Sequence, residues 1–289
     1  MDRRHGIVRS HGTGTVTKTK ASVLKALRVV LIQNSAGGYA GTNLSWIEDR
    51  VKAMPPADLV ALPEVFAVRG TDADYRLAAE PLDRSPALQA VSRWARTRRA
   101  WFLAGSVLER AGRHVYNTCV LIDRAGDIRA SYRKIHLFEA HLDDGSLIRE
   151  ADAYSPGRNP VLVDIEGWRA GLSICYDLRF PELFRHYSRH GADLLFVPSN
   201  FTQRTGRDHW ETLVRARAIE NQCFVVAPNQ CGENPRTGVQ SHGHSMAVGP
   251  WGEVLASANR RPTVLRVTLD PRELRRIRSR IPALRHRVL

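Results

Sequence analysis

The amino-acid sequence predicts a layered α/β fold, and three observations lead to this prediction. From residue 27 onward, short apolar segments of strand length alternate with amphipathic segments of helix length. The 289 residues, 43% hydrophobic and 25% charged, have the size and composition of a globular protein with a large core. No apolar run approaches the roughly eighteen residues that a membrane span needs. We therefore expect a soluble α/β protein that does not bind membranes.

The first half of the chain is expected to combine two strand–helix pairs with a meander of three strands. Ser85 and Pro86 suit the N-cap and the first position of the second helix, and Gly112 and Gly126 suit the turns of the meander. Strands are predicted over residues 27–33, 58–66, 101–108, 115–123 and 128–132, and helices over residues 42–54 and 85–98.

The second half repeats this alternation. Gly167 suits a turn between two strands, and Gly191 suits the end of a helix. No linker interrupts the pattern, so residues 27–289 are expected to form one α/β or layered α-β-β-α domain. Strands are predicted over residues 161–164, 169–174, 193–197, 224–227, 245–248, 254–257 and 264–269, and helices over residues 181–190 and 209–221.

The net charge of +14 is concentrated at the two ends of the chain. Residues 1–28 carry seven basic and one acidic side chain, and residues 260–289 carry ten and two, whereas residues 29–259 carry 26 of each. Because the body of the chain is formally neutral, we expect no specific nucleic-acid-binding surface. Residues 1–26 lack the apolar region of a secretory signal and are expected to form a disordered basic extension.

The spacing of the cysteines and histidines, and the motifs that the sequence lacks, restrict the class of protein. The four cysteines form no C-x-x-C pair, which favours a reduced, cytoplasmic setting over a disulfide framework. His242 and His244 flank a glycine without a neighbouring cluster of ligands, so no metal site is expected. The absence of serine-hydrolase, Walker and dinucleotide-binding motifs argues against those chemistries.

Three titratable residues, Glu64, Lys134 and Cys175, stand at the ends of apolar segments, where layered α/β folds collect active groups. A helix is predicted to begin within six residues of Cys175. A thiol at such an elbow lies near backbone N–H groups that bind an oxyanion and favour the thiolate. The alternative for Cys175 is a buried structural cysteine.

Lys134 and Glu64 are unusual for their surroundings. Lys134 is the last lysine in a chain with 38 arginines, and a compact ammonium can approach a developing oxyanion in a way that a guanidinium cannot. Glu64 lies in an apolar run, where it would be a general base or a member of a structural ion pair. Glu150 lies in a polar segment that would ordinarily be solvated. A Cys–His protease would instead need a partner such as His136 or His209.

The order of these residues resembles the carbon–nitrogen hydrolase, or nitrilase, superfamily. The similarity spans residues 27–287 and several blocks in the same order. The blocks are Leu-Pro-Glu, Tyr-Arg-Lys-Ile-His-Leu, Ile-Cys-Tyr-Asp-Leu-Arg-Phe-Pro-Glu, Pro-Ser-Asn-Phe-Thr-Gln-Arg-Thr-Gly, Gly-His-Ser-Met and Gly-Pro-Trp-Gly. The resemblance implies a four-layer α-β-β-α sandwich, assembly into a homodimer or higher homo-oligomer, and no metal or organic cofactor.

The resemblance also implies a mechanism. Cys175 would attack an amide carbonyl and form a thioester, with release of ammonia or an amine. Glu64 would be the general base, and Lys134 and the backbone N–H of Tyr176 would stabilise the oxyanion. Glu150 matches a second family glutamate that positions the substrate and the lysine.

Within the superfamily, the chain is similar to the Nit-type amidases, which hydrolyse deaminated glutathione or 2-oxoglutaramate. A small carboxylated amide is therefore the expected substrate. The residues expected to bind it are Arg179, Asn200, Phe201, Thr202 and Arg204. Arg204 and its neighbour Arg207 would pair with carboxylates or lie on a solvated loop.

Two positions depart from the family pattern, and several alternative functions remain open. Asn200 stands where alanine is common in the deaminated-glutathione type, and His242 stands where tyrosine usually precedes Gly-His-Ser-Met; both would border the pocket. A helix carrying Arg179 and the helix over residues 209–221 would supply the dimer face. The alternatives are an N-carbamoyl-amine amidohydrolase, a nitrile hydrolase, and an inactive scaffold that binds polyanions through its basic tails.

Overall fold

The computed structural model describes residues 24–141 and 147–288. Within them, the first sheet has seven strands in the order β17-β1-β2-β3-β5-β4, with β6 paired to β5. The central strands β1, β2 and β3 run parallel, and the outer pairings are antiparallel. The strands are β1 (Leu27–Gln33), β2 (Leu59–Ala61), β3 (Trp101–Leu103), β4 (Val107–Ala111), β5 (His114–Ile122), β6 (Ile128–Arg133) and β17 (Thr263–Leu269).

The second sheet, in the same described residues, has six strands in the order β16-β15-β12-β11-β10-β9. Its strands β10, β11 and β12 are parallel. The six are β9 (Val161–Ile165), β10 (Trp168–Leu172), β11 (Leu194–Phe196), β12 (Phe224–Ala227), β15 (Met246–Val248) and β16 (Val254–Ser257). Two hairpin pairs complete the strands: β7 (Glu139–His141) with β8 (Leu147–Arg149), and β13 (Cys231–Glu233) with β14 (Gln240–His242).

Most of the helices pack against the outer faces of the two sheets. They are α1 (Ala40–Ala53), α2 (Asp72–Ala78), α3 (Pro86–Arg98), α4 (Pro181–Arg189), α5 (Gln203–Asn221) and α6 (Pro271–Arg280), with 3-10 turns at Glu150–Asp152 and Cys175–Arg179. One core cluster joins α1 and α3 to the first sheet, and another joins both sheets to α4 and α5. The expected α-β-β-α layering is therefore confirmed.

The parallel strands are buried on both faces, as their continuous apolar sequences predict. In β1, alternate side chains divide between the two cores. Val29 and Leu31 face the second sheet, whereas Val30 and Ile32 pack with α1 and α3. The first sheet therefore packs against the second sheet with one face and against α1 and α3 with the other.

Three predicted segments differ from the structure by more than two residues. The strand expected over residues 58–66 ends at Ala61, and the segment expected over residues 101–108 is divided into β3 and β4. The division occurs at Gly105, which has φ +30; a Cβ there would lie 1.8 Å from the carbonyl oxygen of Pro63. Helix α5 begins at Gln203, six residues before its expected start.

Arg179 does not lie on a regular helix, contrary to expectation. It ends the 3-10 turn Cys175–Arg179, and α4 begins two residues later at Pro181. Helices α2 and α6 were not predicted. Of the predicted basic extension, residues 1–23 lie outside the described residues, whereas Leu24 packs against the core and the Lys25 carbonyl accepts a hydrogen bond from the Trp168 indole.

None of the helices in the described part of the chain is long and apolar enough to cross a membrane.

The contact between β10 and α4 gives a test of the packing of the second sheet. An ideal Cβ at Gly171 would lie 2.6 Å from the ring of Tyr187, whose side chain is fully buried and whose hydroxyl donates to the Leu172 carbonyl. Gly171→Ala is therefore expected to lower the free energy of unfolding by about 1–3 kcal/mol, because the ring has no free space to move into. Urea denaturation followed by tryptophan fluorescence measures this change.

Gly41→Ala in α1 is the matched control, because nothing lies within 4 Å of the added Cβ. It should leave the free energy of unfolding unchanged or raise it by up to about 1 kcal/mol. Equal stability of the two variants would contradict the close packing of Gly171 against Tyr187.

Candidate active site

A cavity of about 360 Å³ lies where the loops after the central strands of the two sheets meet. This volume is within the range of small-molecule sites. Its lining includes Glu64, Glu150, Cys175 and the predicted oxyanion residue Tyr176. It also includes four residues of the predicted substrate-binding set, namely Arg179, Asn200, Phe201 and Thr202. The structure thus brings these residues together around one space.

Lys134 is the buried cation of this site. It follows β6 directly, and its backbone N–H donates to the Asn117 carbonyl at 2.9 Å. Its Nζ lies 2.9 Å from Glu64 Oε1 and 2.8 Å from a carboxylate oxygen of Glu150. Burial lowers the pKa of the ammonium, but the Glu150 and Glu64 carboxylates outweigh burial and raise the pKa well above its ordinary value. Lys134 is therefore charged at neutral pH.

Glu64 lies in the turn after β2 rather than inside a strand. Val65, which follows it, has φ +48, and its N–H donates to Ser106 Oγ at 3.0 Å. The Glu64 carboxylate accepts from Asn117 Nδ2 and from the Asn200 backbone N–H, both at 2.8 Å, in addition to Lys134. Donors from three distant segments therefore set the orientation of Glu64.

Glu150 is also largely withdrawn from water, with a side chain 20% exposed, and is not a solvated loop residue. It begins a 3-10 turn, and one carboxylate oxygen accepts from the Phe138 N–H at 2.7 Å. Burial raises the pKa of the Glu150 carboxyl, and the Lys134 ammonium opposes this rise. Glu150 and Glu64 thus hold Lys134 from two sides.

Cys175 begins the 3-10 turn after β10 in a left-handed conformation, with φ +45. Its N–H donates to the Pro198 carbonyl at 3.0 Å. Two residues later, Asp177 is fully buried and accepts from the Ile174 N–H at 2.8 Å and the Tyr132 hydroxyl at 2.7 Å. These bonds hold the turn in a conformation that an unconstrained cysteine disfavours.

The thiol of Cys175 is stabilised in its neutral form. Burial raises the pKa of Cys175 well above its ordinary value, and the Glu64 carboxylate adds to this rise, whereas Lys134 opposes it. The Asn200 backbone N–H lowers the pKa of the thiol, in the direction expected for the elbow, but burial and Glu64 outweigh it in the resting site. Removal of the thiol proton requires a base.

Arg179 occupies another wall of the cavity. Its guanidinium carbon lies 5.3 Å from the centre of the Phe201 ring and 5.9 Å from that of Tyr176. Its Nη1 lies 3.3 Å from Nδ1 of His209. The aromatic rings and the cation together form a surface that suits an anionic group on an apolar chain.

Other residues singled out in the sequence lie outside the cavity lining. Arg204 is exposed, and Arg207 is exposed and paired with Asp208 at 3.0 Å. His242 is buried behind the wall; burial and the nearby His244 lower its pKa to about 4. Within the described residues, no group of three or more His, Cys, Asp or Glu side chains is arranged to hold a metal ion.

Several residues of the cavity were not predicted from the sequence. Tyr75 lies on α2 and Tyr154 follows the Glu150 turn, and their rings are 5.7 Å apart. One local signal was present for α2: Thr71 and Asp74 have the spacing of a capping box, which the structure contains. No comparable signal connects Tyr154 with the cavity, because its position depends on contacts between distant segments.

The sequence matches the family model described as carbon-nitrogen hydrolase over residues 28–279. The deaminated glutathione amidase of Synechocystis sp. is 42% identical over 246 residues, which cover 80% of this chain and 86% of that protein. The 2-oxoglutaramate amidase of Paenarthrobacter nicotinovorans is 41% identical over 253 residues, covering 84% and 83%. The C. elegans NitFhit structure has a TM-score of 0.83 and 34% identity, covering 91% of this chain and 65% of that chain.

The family match includes both sheets and all four residues of the buried cluster, namely Glu64, Lys134, Glu150 and Cys175. It also agrees with the hydrolase chemistry predicted from the sequence segments around Glu64, Lys134 and Cys175. The chain belongs to the carbon–nitrogen hydrolase family.

Proposed function

We propose that this protein is an amidase that hydrolyses a small carboxylated amide through a thioester on Cys175, with release of ammonia or an amine. The observation that carries the proposal is the Lys134 ammonium, buried between Glu64 and Glu150 beside the thiol. A cation and a base next to a neutral thiol supply the groups that acyl transfer needs.

In the first step, Glu64 takes the proton of Cys175 as the sulfur attacks the amide carbonyl carbon. A C–S bond forms, and the carbonyl π electrons move to oxygen. The Lys134 ammonium and the Tyr176 backbone N–H stabilise the resulting oxyanion. When the oxyanion collapses, the C–N bond breaks and the leaving amine takes the proton held by Glu64. A thioester remains on Cys175.

In the second step, a water molecule gives a proton to Glu64 and attacks the thioester carbonyl. The same donors stabilise the second oxyanion. Its collapse breaks the C–S bond, and the proton on Glu64 returns to the sulfur. The products are a carboxylic acid and ammonia or an amine, and the enzyme regains its starting protonation state.

Arg179 supports a carboxylated substrate in this proposal. Its guanidinium lines the cavity, and the wall around it is aromatic. The relatives named deaminated glutathione amidase and 2-oxoglutaramate amidase act on amides that carry carboxylates. We infer that the substrate resembles deaminated glutathione. The relative at 41% identity makes 2-oxoglutaramate the second candidate.

The proposal extends to the assembly and its setting. We infer one hydrolase domain over residues 27–289 that forms a homodimer or a higher homo-oligomer. An exposed apolar patch supports this assembly: Ile219 on α5 lies against Gly252, next to Trp251, with Val254 and Leu255 on the edge strand β16. Four free cysteines, all buried, support a cytoplasmic location.

Cys175→Ala tests the nucleophile. Ammonia release from deaminated glutathione and from 2-oxoglutaramate is expected to fall by about 10⁴-fold or more, because no thioester can form. Mass spectrometry of acid-quenched wild-type protein should find the acyl adduct on the peptide containing Cys175. Cys223→Ala, which removes another buried thiol, should retain activity. Persistent turnover in Cys175→Ala would overturn the mechanism.

Glu150→Gln tests the second carboxylate, because it keeps the shape of the side chain and removes its charge. The change removes one of the two carboxylates that raise the Lys134 pKa and hold its Nζ. A fall in kcat of about 10²-fold with little change in KM is expected in steady-state kinetics. Glu139→Gln is the control, since Glu139 pairs with Arg149 at the surface. Equal kcat in the two variants would exclude a role for Glu150 in the chemical step.

Arg179→Met tests the anionic substrate class. Loss of a charged hydrogen bond is expected to lower kcat/KM for the carboxylated amide by about 10- to 100-fold. The methyl ester of the same amide should be affected much less, since it lacks the negative charge. Arg207→Met, which removes an exposed arginine paired with Asp208, is the control. An equal loss for acid and ester would contradict carboxylate recognition by Arg179.

A further inference from the structure

Arg69 is a second buried cation, and it lies behind the wall of the cavity. Its side chain is fully buried, and among the described residues no carboxylate pairs with it. Neutral oxygens within hydrogen-bond distance surround the guanidinium instead. They belong to the backbone carbonyls of Ala36, Cys231 and Glu233 and to the hydroxyls of Ser35 and Ser241.

The hydrogen bonds of Ser241 link Arg69 to the side chain of Asn200. A guanidinium donates and cannot accept, so Ser241 Oγ accepts from Arg69 Nη1 at 2.7 Å. The single hydroxyl proton of Ser241 is then available for Asn200 Oδ1, which lies 2.6 Å away. A separation of 2.6 Å is typical of an O–H···O bond and short for an N–H···O bond, so Oδ1 of Asn200 faces Ser241 and its Nδ2 points the other way.

The segment carrying Asn200 is held in place by its backbone. Thr202 and Ser241 form an isolated antiparallel bridge, and the His242 N–H donates to the Phe201 carbonyl at 2.8 Å. The Asn200 N–H donates to Glu64 and also lies close enough to the Cys175 sulfur to favour its ionised form. Asn200 is thus anchored beside the nucleophile.

The Nδ2 group of Asn200 has no hydrogen-bond partner within residues 24–141 and 147–288. It is also not among the polar side-chain atoms that are buried without a partner, and Asn200 lines the cavity. Two N–H bonds are therefore presented to whatever occupies the space beside Cys175. A donor held in this way favours an oxygen acceptor and disfavours a group that can only donate, such as an ammonium.

We propose that Asn200 is a specificity-determining residue whose Nδ2 donates to a 2-oxo carbonyl of the substrate. Ser241 and Arg69 are positioning residues that set the direction of the Asn200 amide. This inference rests on the proposed amidase function and adds the acceptor that the substrate must carry. The neutral amide suits a neutral carbonyl, whereas the Arg179 guanidinium suits the carboxylate.

Binding to the Cys175→Ala protein tests the role of Asn200 without turnover. The two ligands are 2-oxoglutaramate and glutaramate, which differ in the 2-oxo oxygen. We expect 2-oxoglutaramate to bind about tenfold more tightly by isothermal titration calorimetry, and Asn200→Ala to reduce this ratio to about one. A ratio that stays the same in Asn200→Ala, or the absence of a preference in the parent, overturns the proposal.

Asn200→Asp provides a second variant of nearly the same size. Its carboxylate can still accept from Ser241, but an oxygen replaces Nδ2 and faces the cavity. The preference is expected to reverse in favour of glutaramate, because two acceptors would then meet. A retained preference for 2-oxoglutaramate in a folded Asn200→Asp protein would count against the proposal.

Ser241→Ala separates positioning from a general structural role. It should lower the binding ratio of the two amides about threefold to tenfold, and the Ser241→Ala/Asn200→Ala double variant should match Asn200→Ala. The Ser35 hydroxyl also contacts Arg69 but is not part of the link from Arg69 through Ser241 to Asn200. The Ser35→Ala variant should therefore bind the two amides with the same affinity ratio as the parent protein. Equal effects of Ser35→Ala and Ser241→Ala would assign Arg69 a structural role and overturn the positioning proposal.

Ammonia release by the unmodified protein distinguishes the two proposals. The expected binding ratio without hydrolysis of either amide would overturn the proposed function and leave the recognition of the 2-oxo group intact. Hydrolysis of both amides without the expected ratio would overturn the role of Asn200 and leave the amidase function intact.

Discussion

The burial of the Lys134 ammonium between two carboxylates is the interaction on which the candidate site depends. An ammonium removed from water is unstable by several kcal/mol unless it is paired and hydrogen-bonded. The chain meets this requirement with Glu64 and Glu150, whose oxygens lie 2.9 and 2.8 Å from Nζ. Burial and the Glu64 carboxylate raise the pKa of the neighbouring Cys175 thiol, whereas Lys134 opposes this rise.

The raised pKa of the thiol shapes the proposed chemistry. A thiolate present at rest would add a buried negative charge beside Glu64, so the proton leaves Cys175 as the sulfur attacks. Glu64 can receive it without a change in the total charge of the cluster. The developing oxyanion then meets the permanently charged Lys134, and this attraction grows as the transition state forms. The same cation thus stabilises the resting site and the reacting one.

Sequence patterns predicted the parts of the site that are locally unusual. Lys134 is the one lysine after residue 52 of an arginine-rich chain, Glu64 lies in an apolar run, and Cys175 precedes Tyr-Asp-Leu-Arg. Glu150 does not stand out in the sequence, because its partners are the Phe138 N–H and Lys134, which is sixteen residues away.

The end of strand β2 at Ala61 was missed because β-propensity continues beyond it. Pro63 and the close approach of Gly105 end the strand there. Helix α6 was missed because its buried face consists of Pro271, Leu274 and Ile277 among five arginines.

The two buried cations, Lys134 and Arg69, have different kinds of hydrogen-bond partners. Lys134 concentrates its charge on one nitrogen and is paired with carboxylates, which can gain and lose protons during a reaction. Arg69 spreads its charge over a planar group with five N–H donors and is surrounded by carbonyls and hydroxyls, which do not titrate. A donor chain that begins at Arg69 therefore keeps its direction while the protonation of the Glu64 cluster changes. Asn200 connects the two systems, because its side chain accepts from Ser241 and its backbone N–H donates to Glu64. The hydrogen bond from Ser241 to Asn200 can therefore keep its direction while a proton moves between Cys175 and Glu64.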